Sequence, residues 1–220
     1  MRLRTHLFIS IGFFFFCSNL LLAQSQHFQY DGYEQKTYKD YTVSPQYVKV
    51  SDGTSLAVDV ILPTEGPEQK DFPTIFIYTP YGRGFIVPKM GLIKHVGSTA
   101  LGLGWGPEYS MVDLVKSLKM LVAHGYAIVI ADMRGTGASY GHQVALMPQL
   151  GLDGKELIDW MAEQSWCNGN VGMWGQSYLG WAQYMTAAQK PQALKCIIPE
   201  VMGFDLYTTG FRPGGILATK

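Results

Sequence analysis

A serine lies where a predicted strand meets a predicted helix, in the hexapeptide Gly-Gln-Ser-Tyr-Leu-Gly at residues 175–180. A serine exposed on such a turn adopts strained backbone geometry, and the residue two before it must be nearly free of side chain, as Gly175 is. The turn also directs the backbone N–H of Tyr178 and the positive end of the helix toward the space above Ser177. This pattern predicts a nucleophile, Ser177, with donors for an oxyanion beside it.

A second interpretation gives Ser177 only the role of a helix N-cap, with the glycines present for close packing. The order of strand, turn and helix favours the nucleophile, because an activated serine requires that context. The second glycine, Gly180, stands three residues after the serine. The commonest form of this turn has that glycine two residues after the serine.

The base that a serine nucleophile needs is harder to find in the sequence. A base must take the hydroxyl proton, and an acid must orient that base. All five histidines precede Ser177, at positions 6, 27, 95, 124 and 142. His95 and His142 are weak candidates, since the base should follow the nucleophile, and His124 is expected to end a helix. Glu200 and Asp205 follow the last predicted strand and could serve as the acid or contact a substrate amine.

The elements that must position these residues follow from the apolar pattern. Strands are predicted at residues 46–50, 55–62, 74–78, 126–131, 171–174 and 194–198, and helices at residues 110–125, 151–164 and 177–188. Asp52-Gly53 predicts an antiparallel hairpin between the first two strands. The later alternation of strand and helix predicts an α/β fold with a mostly parallel, doubly wound sheet. Ligands bind beyond the carboxyl ends of such strands, which predicts chemistry at Tyr81, at residues 132–141, at Ser177 and in the segment after Ile198.

Composition excludes several classes of protein. Hydrophobic residues make up 47% and charged residues 15%, so the chain as a whole is not disordered. The 17 basic and 17 acidic residues balance, so no nucleic-acid partner is expected. No Cys-x-x-Cys pair or His-rich cluster suggests a metal, and no organic cofactor is implied. Cys167 and Cys196 could pair in an oxidising compartment or remain as free cysteines.

A nucleotide-binding module is a competing class. Its phosphate cradle would use Gly102, Gly104 and Gly106, or Gly135 and Gly137. Neither set has the Gly-x-Gly-x-x-Gly spacing directly after the first central strand, and the Walker lysine pattern is missing. This class is therefore not favoured.

The first 25 residues have the pattern of a signal peptide. Two arginines precede an apolar run that is shorter than the roughly 20 residues a membrane span needs, and small residues follow at 23–25. Cleavage removes two arginines and no acidic residue, leaving 15 of the 17 basic residues against 17 acidic ones. We expect export to the periplasm or the medium, without stable membrane insertion; the alternative is a retained anchor. Residues 26–45 are predicted to form an N-terminal arm, and residues 46–220 to belong to the catalytic domain.

Residues 166–180, Trp-Cys-Asn-Gly-Asn-Val-Gly-Met-Trp-Gly-Gln-Ser-Tyr-Leu-Gly, resemble the X-prolyl dipeptidyl peptidase and cocaine esterase family of α/β-hydrolases. That family includes the α-amino acid ester hydrolases and the glutaryl cephalosporin acylases. Its serine turn has the form Gly-x-Ser-Tyr-x-Gly, which accounts for the displaced second glycine. Residues 79–83, Thr-Pro-Tyr-Gly-Arg, are similar to its tyrosine-bearing loop, and residues 132–139 to its Asp-x-Arg-Gly-x-Gly-x-Ser loop. The similarity covers roughly residues 48–207.

The resemblance implies a serine hydrolase for small esters, amides or short peptides, with peptidase, esterase and acylase all open. Ser177 would attack the acyl carbonyl, and the Tyr178 N–H and Tyr81 hydroxyl would hold the oxyanion. The alternative for Tyr81 is a strand-end aromatic with its hydroxyl in water. Arg134 is expected to tie loops together through several hydrogen bonds rather than contact substrate, and Asp132 is expected to be structural as well.

In the family, the acid and then the histidine come much later, beyond a helical cap and before a β-sandwich domain. We therefore expect this chain to be the front part of a larger hydrolase. Residues 26–220 alone should turn over little substrate. The alternative is a non-catalytic, hydrolase-like fragment that lacks the acid and the base.

Overall fold

The chain divides after Gln35, and all elements below belong to the unit formed by residues 36–220. The computed structural model describes residues 35–69, 71–86, 108–143, 148–203, 205, 207, 208 and 212–216. The strands are β1 (Asp40–Lys49), β2 (Ser55–Thr64), β3 (Phe72–Thr79), β4 (Gly84–Ile86), β5 (Glu108–Ser110), β6 (Ala127–Asp132), β7 (Cys167–Gln176) and β8 (Leu194–Glu200). The helices are α1 (Met111–Leu114), α2 (Lys116–Ala123), α3 (Pro148–Ala162) and α4 (Tyr178–Ala188), with a short 3₁₀ turn at Pro213–Gly215.

Six strands form one sheet in the order β1-β2-β6-β3-β7-β8, while β4 and β5 pair separately. β1 and β2 are antiparallel, as the Asp52-Gly53 turn predicted, and β2 is also antiparallel to β6. The β6–β3, β3–β7 and β7–β8 pairs are all parallel. After β3 the chain crosses to β6 on one side, and from β6 it crosses to β7 on the other. This reversal makes the carboxyl end of β3 a topological switch point, where ligand sites form.

Helices cover both faces of the sheet, so its central strands are apolar on both sides. Phe76 and Tyr78 of β3 point into the cluster shared with α3 and α4, which includes Leu150, Leu157, Ile158, Met161 and Ala182. Ile75 and Ile77 point to the opposite face, where α1 and α2 contribute Val112, Leu118 and Val122. The predicted doubly wound architecture is confirmed.

The first strand begins earlier than the sequence predicted. β1 starts at Asp40, inside the stretch 26–45 expected to be an arm, and pairs with β2 along its full length from Asp40 and Thr64 to Lys49 and Ser55. β1 is an edge strand of which only Val48 is buried. With so little of the strand facing the core, the residues before position 46 need no apolar alternation.

The predicted helix over residues 110–125 is two helices. Val115 adopts extended geometry (φ −99°, ψ 101°) between α1 and α2. Val112, Leu118 and Val122 are nevertheless all buried. The apolar spacing therefore runs through the break, and for this reason periodicity alone could not show it.

Some predictions fall outside the described residues, namely the signal segment 1–25, His95, and the glycines at 102, 104 and 106. The two described cysteines are both free, Cys167 buried and Cys196 exposed. In the part of the chain that the structure covers, no helix has the length and apolar character of a membrane span.

Candidate functional site

The site is built around Ser177, the single residue between β7 and α4. Its backbone has φ 53° and ψ −116°, a conformation that L-residues avoid at a cost of roughly 1–3 kcal/mol. Its side chain is exposed, and although Ser177 is the N-cap residue of α4, that side chain makes no capping hydrogen bond. The hydroxyl is therefore accessible to solvent and is not used to satisfy the helix end. The strained backbone and the exposed side chain are the two geometric features that the sequence predicted for this turn.

Two glycines make this turn sterically possible. A Cβ on Gly175 would lie 2.6 Å from the Cβ of Leu179, so any larger residue would collide with the first turn of α4. A Cβ on Gly180 would lie 3.1 Å from the Cβ of Met202 and 3.4 Å from the carbonyl oxygen of Glu200. Gly180 thus lets α4 approach the segment that follows β8. The spacing Gly-x-Ser-x-x-Gly follows from these two contacts.

A buried glutamine that the sequence analysis missed holds the turn from the α4 side. Gln183 is 1% exposed. Its amide nitrogen donates to the carbonyl oxygens of Gly175 at 3.1 Å and Leu179 at 3.2 Å. Its amide oxygen accepts from the backbone N–H of Ile198 at 2.8 Å. One side chain thereby ties together β7, α4 and β8, and its only signal in the sequence is a polar residue within an apolar helix.

Tyr178 is the first residue of α4, so its backbone N–H is among the donors that have no partner within a helix. The carbonyl oxygen of Ser177 accepts from the Trp181 N–H at 3.0 Å, which starts the helical hydrogen bonds directly at the turn. The positive end of the α4 dipole therefore lies at Ser177. A developing negative charge there would be stabilised by the dipole and by the exposed amide donors.

Tyr81 follows β3 and is 62% exposed. Its backbone N–H donates to the Thr79 hydroxyl at 3.0 Å, which fixes the chain as it leaves the strand. β3 and β7 are adjacent and parallel, with Phe76 opposite Met173. Tyr81 and Ser177 therefore come directly after the carboxyl ends of neighbouring strands, at the same edge of the sheet.

Arg83 ties the Tyr81 loop to the loop after β6. Its Nε donates to Asp132 Oδ2 at 3.1 Å, and its guanidinium also donates to Asp59 of β2. The Met133 N–H adds a backbone link, donating to the carbonyl oxygen of Thr79 at 2.8 Å. In the sequence, Arg83 stands out only as the last residue of the motif at 79–83, and nothing singles out Asp59. Their pairing depends on strands that are distant in the chain.

The loop at residues 132–139 is folded by its own motif residues. Asp132 Oδ2 accepts from the Ala138 N–H at 2.9 Å, and the Ser139 hydroxyl donates to the carbonyl oxygen of Asp132 at 2.7 Å. A Cβ on Gly137 would lie 2.3 Å from the same carboxylate oxygen. Gly137 thus lies directly against the carboxylate of Asp132, which would repel a phosphate bound at this loop. The arrangement supports the predicted structural role of Asp132.

Arg134 ties loops together, as predicted. It donates to both carboxylate oxygens of Asp153 at 2.8 and 2.7 Å. It also donates to Asp52 and to the Thr54 hydroxyl, both at 2.6 Å. Donation to the buried Asp153 raises the pKa of Arg134 above its ordinary value. This network connects α3, the loop after β6 and the β1–β2 turn.

The remaining candidate acids and bases occupy different positions. Glu200 ends β8, and donation from Trp174 and then from Gln176 lowers the pKa of its carboxyl. Asp205 accepts from the Tyr207 N–H at 2.9 Å and from the Thr208 hydroxyl at 3.0 Å.

His124 follows α2 with its Nδ1 3.0 Å from the Met120 carbonyl oxygen, in the predicted helix-end position. His142 is exposed in the loop after β6.

Among the described residues, no group of three or more His, Cys, Asp or Glu side chains is placed to hold a metal ion.

Comparisons with known proteins place this chain in a family. The model of the X-Pro dipeptidyl-peptidase (S15) family matches residues 52–220. The cocaine esterase of a Rhodococcus strain is 32% identical over 175 residues, covering 79% of this chain and 26% of that protein. The Xaa-Pro dipeptidyl-peptidase of Lactobacillus delbrueckii subsp. lactis is 27% identical over 187 residues, covering 67% and 24%. The chain thus spans about a quarter of the length of these relatives.

Solved structures show the same fold. An α-amino acid ester hydrolase aligns with a TM-score of 0.58 at 24% identity, covering 85% of this chain and 29% of that chain. A CocE/NonD family hydrolase from Staphylococcus aureus aligns with a TM-score of 0.54 at 24% identity, covering 74% and 28%. Together with the sheet order, these alignments identify the predicted α/β-hydrolase fold. Because the family model matches well over half of it, the chain belongs to the X-Pro dipeptidyl-peptidase (S15) family.

Proposed function

We propose that the protein is a serine hydrolase that cleaves an ester or amide through an acyl-enzyme on Ser177. The observation that carries this proposal is the backbone of Ser177, with φ 53° and an exposed side chain at the start of α4. A strained, exposed serine that does not cap its helix has no evident structural use, whereas a nucleophile requires that geometry.

In the proposed reaction, Ser177 Oγ attacks the carbonyl carbon of the substrate while a base takes the hydroxyl proton. The carbonyl oxygen becomes an oxyanion, held by the Tyr178 N–H and the Tyr81 hydroxyl. Collapse of this tetrahedral intermediate breaks the bond between the carbonyl carbon and the alcohol oxygen or amine nitrogen. The alcohol or amine then leaves with the proton from the base. Water then attacks the acyl-enzyme by the same route and releases the acid and the free serine.

The base and its orienting acid are expected in the part of the relatives' length that these 220 residues do not span. This expectation rests on the order nucleophile, acid, histidine in hydrolases of this fold. All five histidines of the chain precede Ser177. That same observation favours the second candidate, a hydrolase-like protein without catalytic activity.

The substrates are proposed to be small esters, amides or short peptides. Support comes from the names of two relatives, a cocaine esterase and an Xaa-Pro dipeptidyl-peptidase. The apolar run at the N-terminus supports a further proposal, that the protein is exported after cleavage near residue 25. N-terminal sequencing of the protein recovered from the periplasm or the medium tests the export proposal.

The test of the hydrolase proposal is covalent labelling by a fluorophosphonate, with the protein expressed from its complete gene. We expect labelling that peptide mass spectrometry assigns to Ser177, together with turnover of a p-nitrophenyl ester. Ser177→Ala should abolish both, while Ser51→Ala, at an exposed serine in the β1–β2 turn, should abolish neither. A folded wild-type protein that is neither labelled nor active would overturn the proposal in favour of the non-catalytic candidate.

A further inference from the structure

The strained turn at Ser177 is held from two sides, and one of them involves a carboxylate to which the proposed function gives no role. On the α4 side, Gln183 binds the carbonyl oxygen of Gly175. On the other side, Glu200 lies at the end of β8, directly opposite Gln176 in the parallel β7–β8 pairing. Gln176 is the residue that precedes the serine, so Glu200 contacts the strand at the point where the turn begins.

Glu200 contacts this strand end through both its side chain and its backbone. One carboxylate oxygen accepts from Trp174 Nε1 at 3.0 Å, and the other accepts from Gln176 Nε2 at 2.9 Å. Its backbone carbonyl oxygen accepts from the Ser177 N–H at 2.9 Å. Three hydrogen bonds thus connect Glu200 of β8 to residues 174, 176 and 177.

The two side chains that donate to the Glu200 carboxylate differ in their surroundings. Trp174 packs against the apolar cluster on the α2 face of the sheet, so its indole N–H has a fixed position. Gln176 is exposed, and an exposed side chain is ordered only if something holds it. A carboxylate that accepts from both donors therefore transmits the rigidity of the packed indole to the residue before the serine.

We propose that Glu200 is a positioning residue, which fixes the Ser177 turn by holding Trp174 and Gln176 with its carboxylate and the serine N–H with its carbonyl oxygen. This inference rests on the proposed function of Ser177. Both carboxylate oxygens are used within the sheet end, which favours this role over that of the triad acid. A turn in an unfavourable backbone conformation relaxes when its surroundings no longer determine it, and the nucleophile then loses its attack geometry.

The main test uses Glu200→Gln in the protein expressed from its complete gene. Glutamine keeps the shape of the side chain, but its amide nitrogen only donates, so it cannot replace the carboxylate oxygen that accepts from the second donor. We expect kcat for a p-nitrophenyl ester and the rate of fluorophosphonate labelling at Ser177 to fall about tenfold, with KM changed less than twofold. The matched control is Glu156→Gln, at a carboxylate that also accepts two hydrogen bonds, both from Ser51 in the β1–β2 turn. The control should keep the wild-type rates.

A rescue variant distinguishes positioning from general stabilisation. Exchanging the pair, with Gln176→Glu and Glu200→Gln together, lets residue 200 donate to residue 176 while still accepting from Trp174. We expect this double variant to recover most of the lost kcat. If Glu200→Gln does not fold, Gln176→Leu serves instead, because it removes one contact at an exposed position and should lower kcat in the same way.

The outcomes separate the two proposals. Wild-type labelling at Ser177 with unchanged kcat in Glu200→Gln, or in Gln176→Leu where the first variant does not fold, would overturn the positioning role and leave the hydrolase proposal intact. A loss of kcat that the exchanged pair does not recover at all would also overturn it. Absence of wild-type labelling at Ser177 would overturn the hydrolase proposal itself.

Discussion

The guanidinium of Arg83 donates to Asp132 Oδ2 at 3.1 Å and so joins the loop that carries Tyr81 to the carboxyl end of β6. Asp132 is 2% exposed, so its charge is compensated by this contact within the protein and not by water. The same guanidinium contacts Asp59 of β2. The position of the proposed oxyanion donor therefore depends on an ion-pair network that spans three strands.

Replacing Arg83 by Lys should lower the rate of fluorophosphonate labelling at Ser177 about tenfold, because an ammonium cannot reproduce the planar donors that face two carboxylates. Tyr81 would then no longer be held in place relative to the serine. The labelling rate is measured from stopped reactions at several fluorophosphonate concentrations. The control variant is Arg212→Lys, at a position after the last described strand, and it should keep the wild-type labelling rate. An unchanged rate in the Arg83 variant would show that the Tyr81 loop does not depend on this network.

Arg134→Met should destabilise the protein by about 3–5 kcal/mol, because it leaves the charge of a buried carboxylate without its cationic partner. That carboxylate belongs to Asp153, which is 0% exposed. The double variant with Asp153→Leu should recover a large part of the loss, since the uncompensated charge is then absent. Urea unfolding of the three proteins gives the comparison. A single variant as stable as the wild type would contradict the buried network.

At low pH, the stability of the folded state should also depend on Asp52, the exposed carboxylate that accepts from Arg134. Donation from Arg134, and then from Thr54, lowers the pKa of Asp52 from 3.8 to about 2. A carboxyl with a depressed pKa in the folded state stabilises that state fully above its unfolded pKa. The contribution of Asp52 should therefore be complete above pH 3.8 and lost as the pH falls toward 2. Thermal unfolding of the wild type and Asp52→Asn from pH 6 downward tests this, and the two curves should converge at the acid end.

Gln183→Leu should cost about 1–3 kcal/mol, because the buried groups that the glutamine satisfies would be left without a hydrogen bond. These groups are the carbonyl oxygen of Gly175 and the N–H of Ile198. Gln192→Leu, at an exposed glutamine after α4, is the matched control and should change stability by no more than about 0.5 kcal/mol. Chemical unfolding measures both variants. Equal effects in the two would mean that the buried amide does not hold the turn.

Most of the central sheet could be predicted from the sequence. The strands around Phe76, Val129 and Met173 are short apolar runs, which mark strands covered on both faces. The serine turn could also be predicted, because its requirements are local. Gly175 and Ser177 are two residues apart, and the clash that excludes a side chain at Gly175 comes from Leu179 in the same hexapeptide.

Other features could not be predicted because they depend on neighbours distant in the chain. β1 is a strand because it pairs with β2 over ten residues, although its own residues are mostly exposed. The break at Val115 does not interrupt the buried apolar spacing, so no pattern signals it. Gln183 is an ordinary polar residue in the sequence, and Glu200 is predicted there only as a possible acid or substrate contact. The packing of α4 and β8 against β7 gives both residues their partners.

The sequence by itself determined the family, the alternation of strands and helices, and the serine turn, since each depends on residue types at short spacing. Only the tertiary structure decided which charges compensate each other and what holds the turn. Arg83 and Asp132 are 49 positions apart, and Trp174 and Glu200 are 26 apart. Hydrogen bonds and ion pairs over such separations form only when the sheet brings strand ends together, so they leave no periodic pattern in the chain.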